Sequence, residues 1–226
     1  DIMLVVNWVI MFTPIGIFAI VGGKVAGVGG DFITVLLGIG RYIAVLLGSL
    51  GIHAFIVLPM VYFLLLRKNP FIYLTYVKEA LLMAFTTASS AATLPLTRKN
   101  VTEQAGASEK TADFVLPLGA TVNMDGTALY EGVAVVFICQ AYGIPIGITE
   151  GLTIFITAIL AGVGAAAIPQ AGLVTMVVVL KAVGAPIEGI GLLLAVDWLM
   201  DRFRTAVNVW GDTIGVAVID NLAGEE

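Results

Sequence analysis

The sequence predicts an all-α integral membrane protein in which transmembrane helices accompany two re-entrant helical hairpins and a broken helix. The first observation is composition, since 59% of the 226 residues are hydrophobic and only 12% are charged. A soluble domain carries about twice that charged fraction. The second is that the apolar runs are continuous, whereas a membrane β-strand alternates polar and apolar residues. The third is a pair of short apolar segments, each interrupted by small residues.

The N-terminal part of the chain predicts two long helices. Residues 2–25 are expected to form a first spanning helix with a kink at Pro14, and residues 22–31 a Gly-rich loop. The stretch from Phe32 to Leu66 exceeds the ~20 residues of a perpendicular span, so this helix should tilt or extend beyond the membrane. The chain starts at Asp1, without a Met and directly before an apolar run, and we therefore expect a fragment of a longer protein.

Two segments further along are apolar but too short to span a membrane. The first leads into the small-residue stretch TTASSAATLP (residues 86–95), and the second leads into AGVGAAAIPQAG (residues 161–172). Backbone outside helices persists at membrane depth only where protein buries it or a cavity hydrates it. We interpret each segment as a short helix, a tip containing Pro95 or Pro169, and a second short helix. The sequence thus predicts re-entrant hairpins at about residues 71–106 and 148–184.

Each predicted hairpin is followed by a long helix, Asp113 to Gln140 after the first and Gly189 to Leu222 after the second. Paired short or interrupted segments in corresponding halves of a membrane protein point to the binding site of a secondary transporter. The predicted architecture is therefore an inverted-repeat transporter fold.

Polar residues form a stripe along the last of these helices. At about 100° per residue they fall within an arc of about 100°, and they are Asp197, Asp201, Arg204, Thr205, Asn208 and Asp212. Such a stripe should face the protein interior or a water-filled cavity rather than lipid. One interpretation is a structural ion-pair network, with Asp201 bound to Arg204 and Asp197 bound to Arg202. The excess of carboxylates favours a site for hard cations such as Na⁺, with Arg204 as a bidentate partner for a carboxylate.

The stretch NMDGT (residues 123–127) interrupts the helix that follows the first hairpin. It predicts a break, with Asn123 at the end of the first half and Thr127 at the start of the second. Carbonyl groups freed at the break can bind a cation, and Asp125 adds a charged oxygen. The alternative is a Gly kink in which Asn123 and Asp125 satisfy the freed backbone groups. Because the break should face the polar stripe, we interpret it as a cation site.

Composition excludes several other classes of site. The chain has one Cys and one His, which rules out a disulfide framework and a Cys/His zinc site. We interpret Cys139 as a packing residue and His53 as a satisfied core or interface histidine. The net charge of −5 and the lack of a basic run argue against nucleic acid as a partner. The two RKN tripeptides, at residues 67–69 and 98–100, predict cytoplasmic ends.

Four stretches resemble, in order, the signature sequences of the glutamate/aspartate transporter family of sodium:dicarboxylate symporters. They are TTASSAATLP, LPLGATVNMDGTALYEG, GAAAIPQAGLVTM and AVDWLMDRFRTAVNVWGD, and the resemblance extends from about Ile2 to Asp220. It implies a homotrimer whose subunits have eight transmembrane helices and two re-entrant hairpins. This chain matches helices five to eight and both hairpins. Residues 1–30 would then belong to a scaffold and residues 31–226 to a transport domain.

The resemblance also implies three sodium sites. One consists of carbonyl groups of Gly119, Asn123 and Asn208 with the carboxylate of Asp212. A second lies under the tip of the second hairpin, and its ligands are carbonyl groups of Thr121, Gly162, Val163 and Ala165. The third uses Asn123 and Asp125, with its other ligands on helix three, outside the part of the family that this chain matches.

Substrate contacts are implied for Ser90, Thr127, Gly172, Asp201, Arg204, Thr205 and Asn208. Asp201 matches the position that binds the amino group, and Arg204 matches the position that binds the side-chain carboxylate. Glu131 matches an acidic position tied to proton coupling in animal-type members, and Arg202 with Ala88 follows the animal-type arrangement as well. The first tip reads ASSA where the family often has an unbroken serine run, but its substrate contact is largely through the backbone.

We therefore expect a multi-pass plasma membrane protein, not an enzyme, that couples uptake of L-glutamate or L-aspartate to Na⁺ through an elevator-like movement. H⁺ and K⁺ are further candidate coupling ions. Neutral amino acid exchange and dicarboxylate symport are alternatives within the family; Arg204 argues against the first and Asp201 against the second. Alternatives from other classes are an ion channel and an intramembrane aspartyl protease with Asp125 and Asp212 as its catalytic pair.

Overall fold

The structure, a computed structural model, describes Ile15, residues 32–165 and residues 167–224. Within these residues all regular secondary structure is helical, as predicted. The predicted first helix (residues 2–25, apart from Ile15) and the Gly-rich loop (residues 22–31) lie outside the described residues. Two described helical stretches, Ile33–Leu66 and Glu109–Ala141, are long and apolar enough to cross a membrane.

The first described helix is continuous over the predicted range but contains a wider turn. Helix α1 (Phe32–Ile52) passes through a π-turn (His53–Val57) into α2 (Leu58–Leu66). Leu58 donates its N–H to the carbonyl of His53, five residues back, and Pro59 has no N–H to offer. The carbonyl of Ala54 is therefore left without a helical partner, and it accepts a hydrogen bond from Trp210 Nε1 at 3.0 Å. The π-turn thus fixes this helix to the C-terminal helix.

The first hairpin consists of α3 (Pro70–Thr87) and α4 (Ser90–Lys99), followed by a π-turn at Asn100–Gln104. The predicted tip at residues 86–95 is too long, because only Ala88 and Ser89 separate the two helices. Ser89 caps α4 by accepting the N–H of Ala92 at 3.2 Å, so the helix starts early in the small-residue run. Pro95 accordingly lies inside α4 rather than at the tip.

The second long helix is broken as predicted, but the break is shorter than expected. Helix α5 (Glu109–Val122) ends at Asn123, and α6 (Asp125–Ala141) begins at Asp125. Two residues, Asn123 and Met124, therefore separate the halves, and Thr127 lies within the first turn of α6. The second hairpin follows, with α7 (Ile148–Val163) and α8 (Ala171–Ala182) on either side of its tip.

The C-terminal helix is the centre of the fold. After a 3₁₀ turn (Ile187–Leu192), α9 (Leu194–Ala223) runs for 30 residues and packs against all six helices from α1 to α6. The core around it includes Tyr73, Tyr130, Met200 and Trp210, all buried. Both helices of hairpin two pack against α6. This arrangement brings both hairpin tips and the helix break to the middle of α9.

Candidate functional site

The polar stripe on α9 faces the protein interior, as predicted. All six of its side chains are buried, each with 5% or less of its surface exposed, namely Asp197, Asp201, Arg204, Thr205, Asn208 and Asp212. Burial of several ionisable groups is costly unless they are paired and hydrogen-bonded. The partners of each group therefore indicate what the site can bind.

Arg204 has charged or aromatic neighbours on three sides. Its Nε donates to Asp201 Oδ1 at 2.7 Å, and Nη1 donates to Asp197 Oδ1 at 3.2 Å. Its guanidinium carbon lies 4.0 Å from the centre of the Tyr130 ring. The remaining terminal nitrogen, Nη2, is buried without a hydrogen-bond partner in the described structure. Arg204 is thus a buried cation in which one donor group, Nη2, makes no hydrogen bond within the described structure.

The ion pairs of α9 differ in part from the predicted structural network. Asp201 pairs with Arg204 as predicted, but the predicted pair of Asp197 with Arg202 is wrong, because Asp197 binds Arg204 instead. Seven residues return a helix close to the same face, whereas five carry it about 140° around the axis. Arg202 therefore points elsewhere and donates to the carbonyls of Phe85 at 3.1 Å and Thr86 at 2.6 Å, at the end of α3.

A small cavity of about 20 Å³ lies where the two hairpin tips meet α6 and α9. Its lining includes the whole predicted substrate set, which is Ser90, Thr127, Gly172, Asp201, Arg204, Thr205 and Asn208. A cavity of this size holds about one water molecule. A solute larger than water can therefore enter only if one of the elements that close the cavity moves away.

Direct contacts hold the two tips together over this cavity. Ser89 Oγ donates to the carbonyl of Ala167 at 2.8 Å, which joins hairpin one to hairpin two. The N–H of Gln170 donates to Asp201 Oδ2 at 2.7 Å, which joins hairpin two to α9. Gln170 has a φ of 63°, a backbone conformation that non-glycine residues seldom adopt. Asp201 thus binds both Arg204 and the tip that closes the cavity.

Glycines allow the walls of the site to approach closely. A Cβ at Gly172 would lie 3.0 Å from Arg204 Nη1. A Cβ at Gly126 would lie 2.5 Å from the carbonyl oxygen of Arg204, which is closer than real Cβ atoms come. Gly126 therefore sets the distance between α6 and α9 at the level of the site.

The helix break is satisfied by side chains of α9. Asn208 Oδ1 accepts the N–H of Gly126 at 2.7 Å, and Asn208 Nδ2 donates to Thr127 Oγ1 at 3.1 Å. Because the first N–H groups of a helix have no partner within it, Asn208 acts as a cap supplied by another helix. This contact fixes α6 relative to the stripe.

Residues of the first predicted sodium site come together at the end of α5. Asn123 Nδ2 donates to Asp212 Oδ1 at 3.0 Å, and a Cβ at Gly119 would lie 2.5 Å from that same oxygen. Asp212 is 4% exposed. Asn208 lies one turn earlier on α9 and is engaged with Gly126 and Thr127 through its side chain.

The residues of the second predicted sodium site lie near the ends of α5 and α7. Gly162, Val163 and Ala165 lie together at the end of α7, where Ala165 donates its N–H to the carbonyl of Gly162 at 3.1 Å. A Cβ at Gly162 would lie 3.3 Å from the carbonyl oxygen of Met124. Thr121 is exposed, and its hydroxyl donates to Leu118 within α5 at 3.0 Å.

The third predicted sodium site has a neighbour that sequence reasoning missed. Asp125 Oδ2 lies 2.5 Å from Nε2 of His53, which comes from the π-turn between α1 and α2. Both side chains are about one-fifth exposed. The signal that could have paired them is that ionisable groups in apolar helices usually pair with one another. Asn123 lies close by, since a Cβ at Gly211 would meet both Asn123 Nδ2 (2.9 Å) and Asp125 Oδ2 (3.1 Å).

Glu131 lies one turn beyond Thr127 and is fully buried. One carboxyl oxygen accepts a hydrogen bond from the hydroxyl of Thr175 on α8. The other, Oε2, is buried and has no partner among the described residues. Glu131 therefore connects α6 to the second hairpin through one of its two carboxyl oxygens.

Comparison with known proteins identifies the family. The sodium:dicarboxylate symporter family matches residues 2–222. The chain is 48% identical over 224 residues to excitatory amino acid transporter 3 of Mus musculus, covering 99% of this chain and 42% of that protein. It is 47% identical over 226 residues to excitatory amino acid transporter 4 of Rattus norvegicus, covering 100% of this chain and 40% of that protein.

A third relative, excitatory amino acid transporter 1 of Homo sapiens, is 45% identical over 226 residues and is covered to 41% of its length. The chain thus spans about two fifths of the length of the curated relatives that it matches. The family match, in contrast, extends over nearly the whole chain. The chain belongs to the sodium:dicarboxylate symporter family.

Proposed function

We propose that the protein carries out sodium-coupled symport of acidic amino acids, L-glutamate or L-aspartate. The observation that carries this proposal is the buried guanidinium of Arg204 beside a cavity that both hairpin tips close. A buried, always charged and bidentate donor is suited to a carboxylate. The names of the relatives, which are excitatory amino acid transporters, agree with a substrate of this kind.

The substrate would be held at both of its ends. Arg204 would bind the side-chain carboxylate, and Asp201 would bind the amino group. Thr127, Thr205 and Asn208 offer hydroxyl and amide groups between these charges, and the backbone at Ser90 and Gly172 approaches from the hairpins. A neutral amino acid would leave Arg204 without its anion, and a dicarboxylate would leave Asp201 without a cation, so both alternatives rank below the acidic amino acids.

Sodium ions would be co-transported with the substrate. Three groups of oxygen donors are proposed to hold it: Gly119, Asn123, Asn208 and Asp212; Thr121, Gly162, Val163 and Ala165; and Asn123 with Asp125. Carboxylate, amide and backbone oxygens are the ligands that hard cations prefer. For the first group, the closeness of Asn123, Gly119 and Asp212 supports the assignment. Glu131 is proposed to carry a coupled proton, and K⁺ is proposed as a further coupling ion.

The proposal places the chain in the plasma membrane. Two helical stretches of sufficient length and hydropathy support membrane insertion, and hairpins one and two would enter the membrane without crossing it. Residues 31–226 would form the moving transport domain, and residues 1–30 would belong to the scaffold of a homotrimer. The elevator-like movement would carry the closed site across the membrane.

Uptake into proteoliposomes tests this function. We expect saturable uptake of radiolabelled L-aspartate that requires an inward sodium gradient, and loss of acidic substrate affinity by roughly 2–5 kcal/mol in Arg204→Cys. L-serine should lose much less affinity in the same variant. Arg41→Cys, which removes an exposed arginine, is the control. Equal losses for aspartate and serine would show that Arg204 does not select the side chain.

Two rival functions give different results in this assay. An ion channel would give sodium currents without saturable, sodium-dependent uptake of an amino acid. An aspartyl protease needs two carboxylates that share a proton, whereas Asp125 contacts His53 and Asp212 binds Asn123. These separate partners favour the transporter. We therefore expect no peptidase activity in the unmodified protein, and Asp125→Asn should not change this result.

A further inference from the structure

An apolar groove runs along the outside of the bundle, away from the substrate cavity. Its inner part, about 360 Å³, lies between the α1–α2 helix, α3 and α9 and is lined by residues such as Gly51, Ala54, Phe203 and Trp210. Its outer part, about 700 Å³, continues toward the end of α2. Phe55, Pro59 and Phe71 line both parts, so the two form one continuous groove, which we name the lateral groove.

The outer end of the lateral groove is basic. Arg67 and Lys68 line it and are exposed, and among the described residues neither forms an ion pair with a carboxylate. Helix α3 begins at the same place, with Asn69 as its cap and Pro70 as its first residue. The N-terminus of an 18-residue helix adds partial positive charge there. The mouth of the groove is thus suited to an anion.

The length of the groove matches that of one hydrocarbon chain. From Arg67 back to Ala54 the helix rises roughly 20 Å, which is close to the ~15 Å depth of the hydrocarbon in one leaflet. An extended acyl chain meets only apolar side chains along this path.

We propose that the lateral groove binds an anionic phospholipid. Its headgroup phosphate lies against Arg67, Lys68 and the start of α3, and one acyl chain lies between α3 and α9 as far as Trp210. Basic pockets between membrane helices on the cytoplasmic side are typical sites for anionic headgroups. The inference requires the proposed membrane placement but not amino acid transport. Sodium-dependent uptake, measured separately, distinguishes failure of one from failure of the other.

Native mass spectrometry of the purified protein with added phosphatidylglycerol or phosphatidylcholine tests the headgroup contact. We expect phosphatidylglycerol to be retained at least tenfold more strongly, and this preference to disappear in Arg67→Gln/Lys68→Gln. The matched control, Arg41→Gln/Lys78→Gln, removes one exposed arginine and one exposed lysine away from the groove and should keep the preference. Equal retention of both lipids, or equal losses in both double variants, would overturn the proposal.

A second pair of variants tests the acyl contact. Gly51 lines the groove and a Cβ there meets nothing within 4 Å, so Gly51→Leu should fill the inner part and lower phosphatidylglycerol retention several-fold. Gly48 has the same open surroundings but does not line the groove, so Gly48→Leu should leave retention unchanged. If Gly51→Leu retains the lipid fully, or if sn-glycerol 3-phosphate displaces it completely, the acyl chain does not occupy the groove.

Photolabelling identifies the occupant directly. Phosphatidylglycerol with a diazirine near the end of its acyl chain should label peptides that contain Ala54 or Trp210. Labelling confined to other surfaces would show that another part of the protein fills the groove, and the proposal would then be wrong.

Discussion

Glu131 shows at the scale of one residue how burial prepares a group for its proposed role. Its carboxyl is fully buried, with one oxygen bound to Thr175 and the other without a partner. A buried carboxylate with an unsatisfied oxygen is costly, and a proton on that oxygen relieves the cost. The geometry therefore suits a group that changes its protonation when the second hairpin moves.

We predict that Glu131→Gln keeps sodium-coupled exchange but removes the pH dependence of net uptake. The amide cannot be ionised, whereas it can still accept the hydrogen bond from Thr175. The measurement is net uptake in proteoliposomes across a pH series. Thr175→Val is the control, because it removes the hydrogen bond and keeps the carboxyl, so its pH dependence should persist. An unchanged pH profile in Glu131→Gln would leave Glu131 a structural residue.

Single residues also mark the limit of sequence reasoning. The stripe on α9 could be predicted because its spacing alone places six residues on one face. The pair of His53 and Asp125 could not, since 72 residues separate them and a π-turn that no sequence pattern announced positions the histidine. Asp197 pairs with Arg204 and not with Arg202, because seven residues return a helix to the same face and five do not.

At the scale of elements, the crossing of α6 and α9 depends on Gly126. The carbonyl of Arg204 and the amide oxygen of Asn208 occupy the space that a side chain would need, at 2.5 and 2.9 Å from a Cβ. One of these atoms belongs to the backbone, so it can move away only if the helix moves. Gly126 is therefore required for close approach rather than for flexibility.

We predict that Gly126→Ala separates the two helices and abolishes high-affinity substrate binding. Overpacking of this kind typically costs about 1–3 kcal/mol of unfolding free energy. Gly132→Ala, six residues later on the same helix, is the control because a Cβ there meets nothing within 4 Å. It should be neutral or stabilise the helix by up to about 1 kcal/mol. Thermal unfolding in detergent and aspartate binding report the two effects, and equal behaviour of both variants would contradict this account.

The contact between the end of α5 and α9 is the second element-scale feature, and it depends on charge. Asp212 supplies the formal negative charge of the first proposed sodium site. We predict that Asp212→Asn lowers sodium affinity at least tenfold, on the order of 1.4 kcal/mol. Because sodium and substrate binding are linked, substrate affinity should weaken at fixed sodium and recover as sodium is raised.

Substrate affinity across a sodium series measures this effect. Asp113→Asn, which removes an exposed carboxylate from the same bundle, is the control. A loss of affinity that is equal at every sodium concentration would mean that Asp212 has a structural role.

Element boundaries were predictable where residues with strong preferences occur. Pro70 at the start of α3 and the break after Val122 agree with the sequence patterns. The first tip was predicted too long because Thr, Ser and Ala are compatible with helix once a cap is present, and the cap provided by Ser89 decides where α4 starts.

At the scale of the whole molecule, the two tips and α9 form one closed unit. Hairpin one holds hairpin two through Ser89 and Ala167, and hairpin two holds α9 through Gln170 and Asp201. In the proposed function, a substrate amino group bound to Asp201 would compete with the Gln170 N–H for the same carboxylate. Substrate binding would then be linked to the position of the second tip.

We predict that Ser89→Ala weakens the tip-to-tip contact and widens the distribution of distances between the hairpins. Spin labels at Leu82 and Val174, which are 66% and 74% exposed, would measure this distribution by double electron–electron resonance. Ser89→Thr is the control. It keeps the hydroxyl that donates to Ala167 and caps α4, so its distance distribution should match that of the unmodified protein. If Ser89→Ala and Ser89→Thr give the same narrow distribution as the unmodified protein, this hydrogen bond does not hold the tips together.

The π-turn at residues 53–57 determines which side chains of α1 and α2 face the core. The buried residues of α1 and α2 are Tyr42, Leu46, Leu50, Leu58, Pro59 and Tyr62, and apart from Pro59 they recur every four or eight positions. In an uninterrupted α-helix a four-residue step overshoots one turn by about 40°, so the path from Tyr42 to Tyr62 would end about 200° away, on the opposite face. The extra residue of the wide turn removes about 100° of that drift. One wide turn thus removes about half of the angular mismatch between the buried residues before it and those after it.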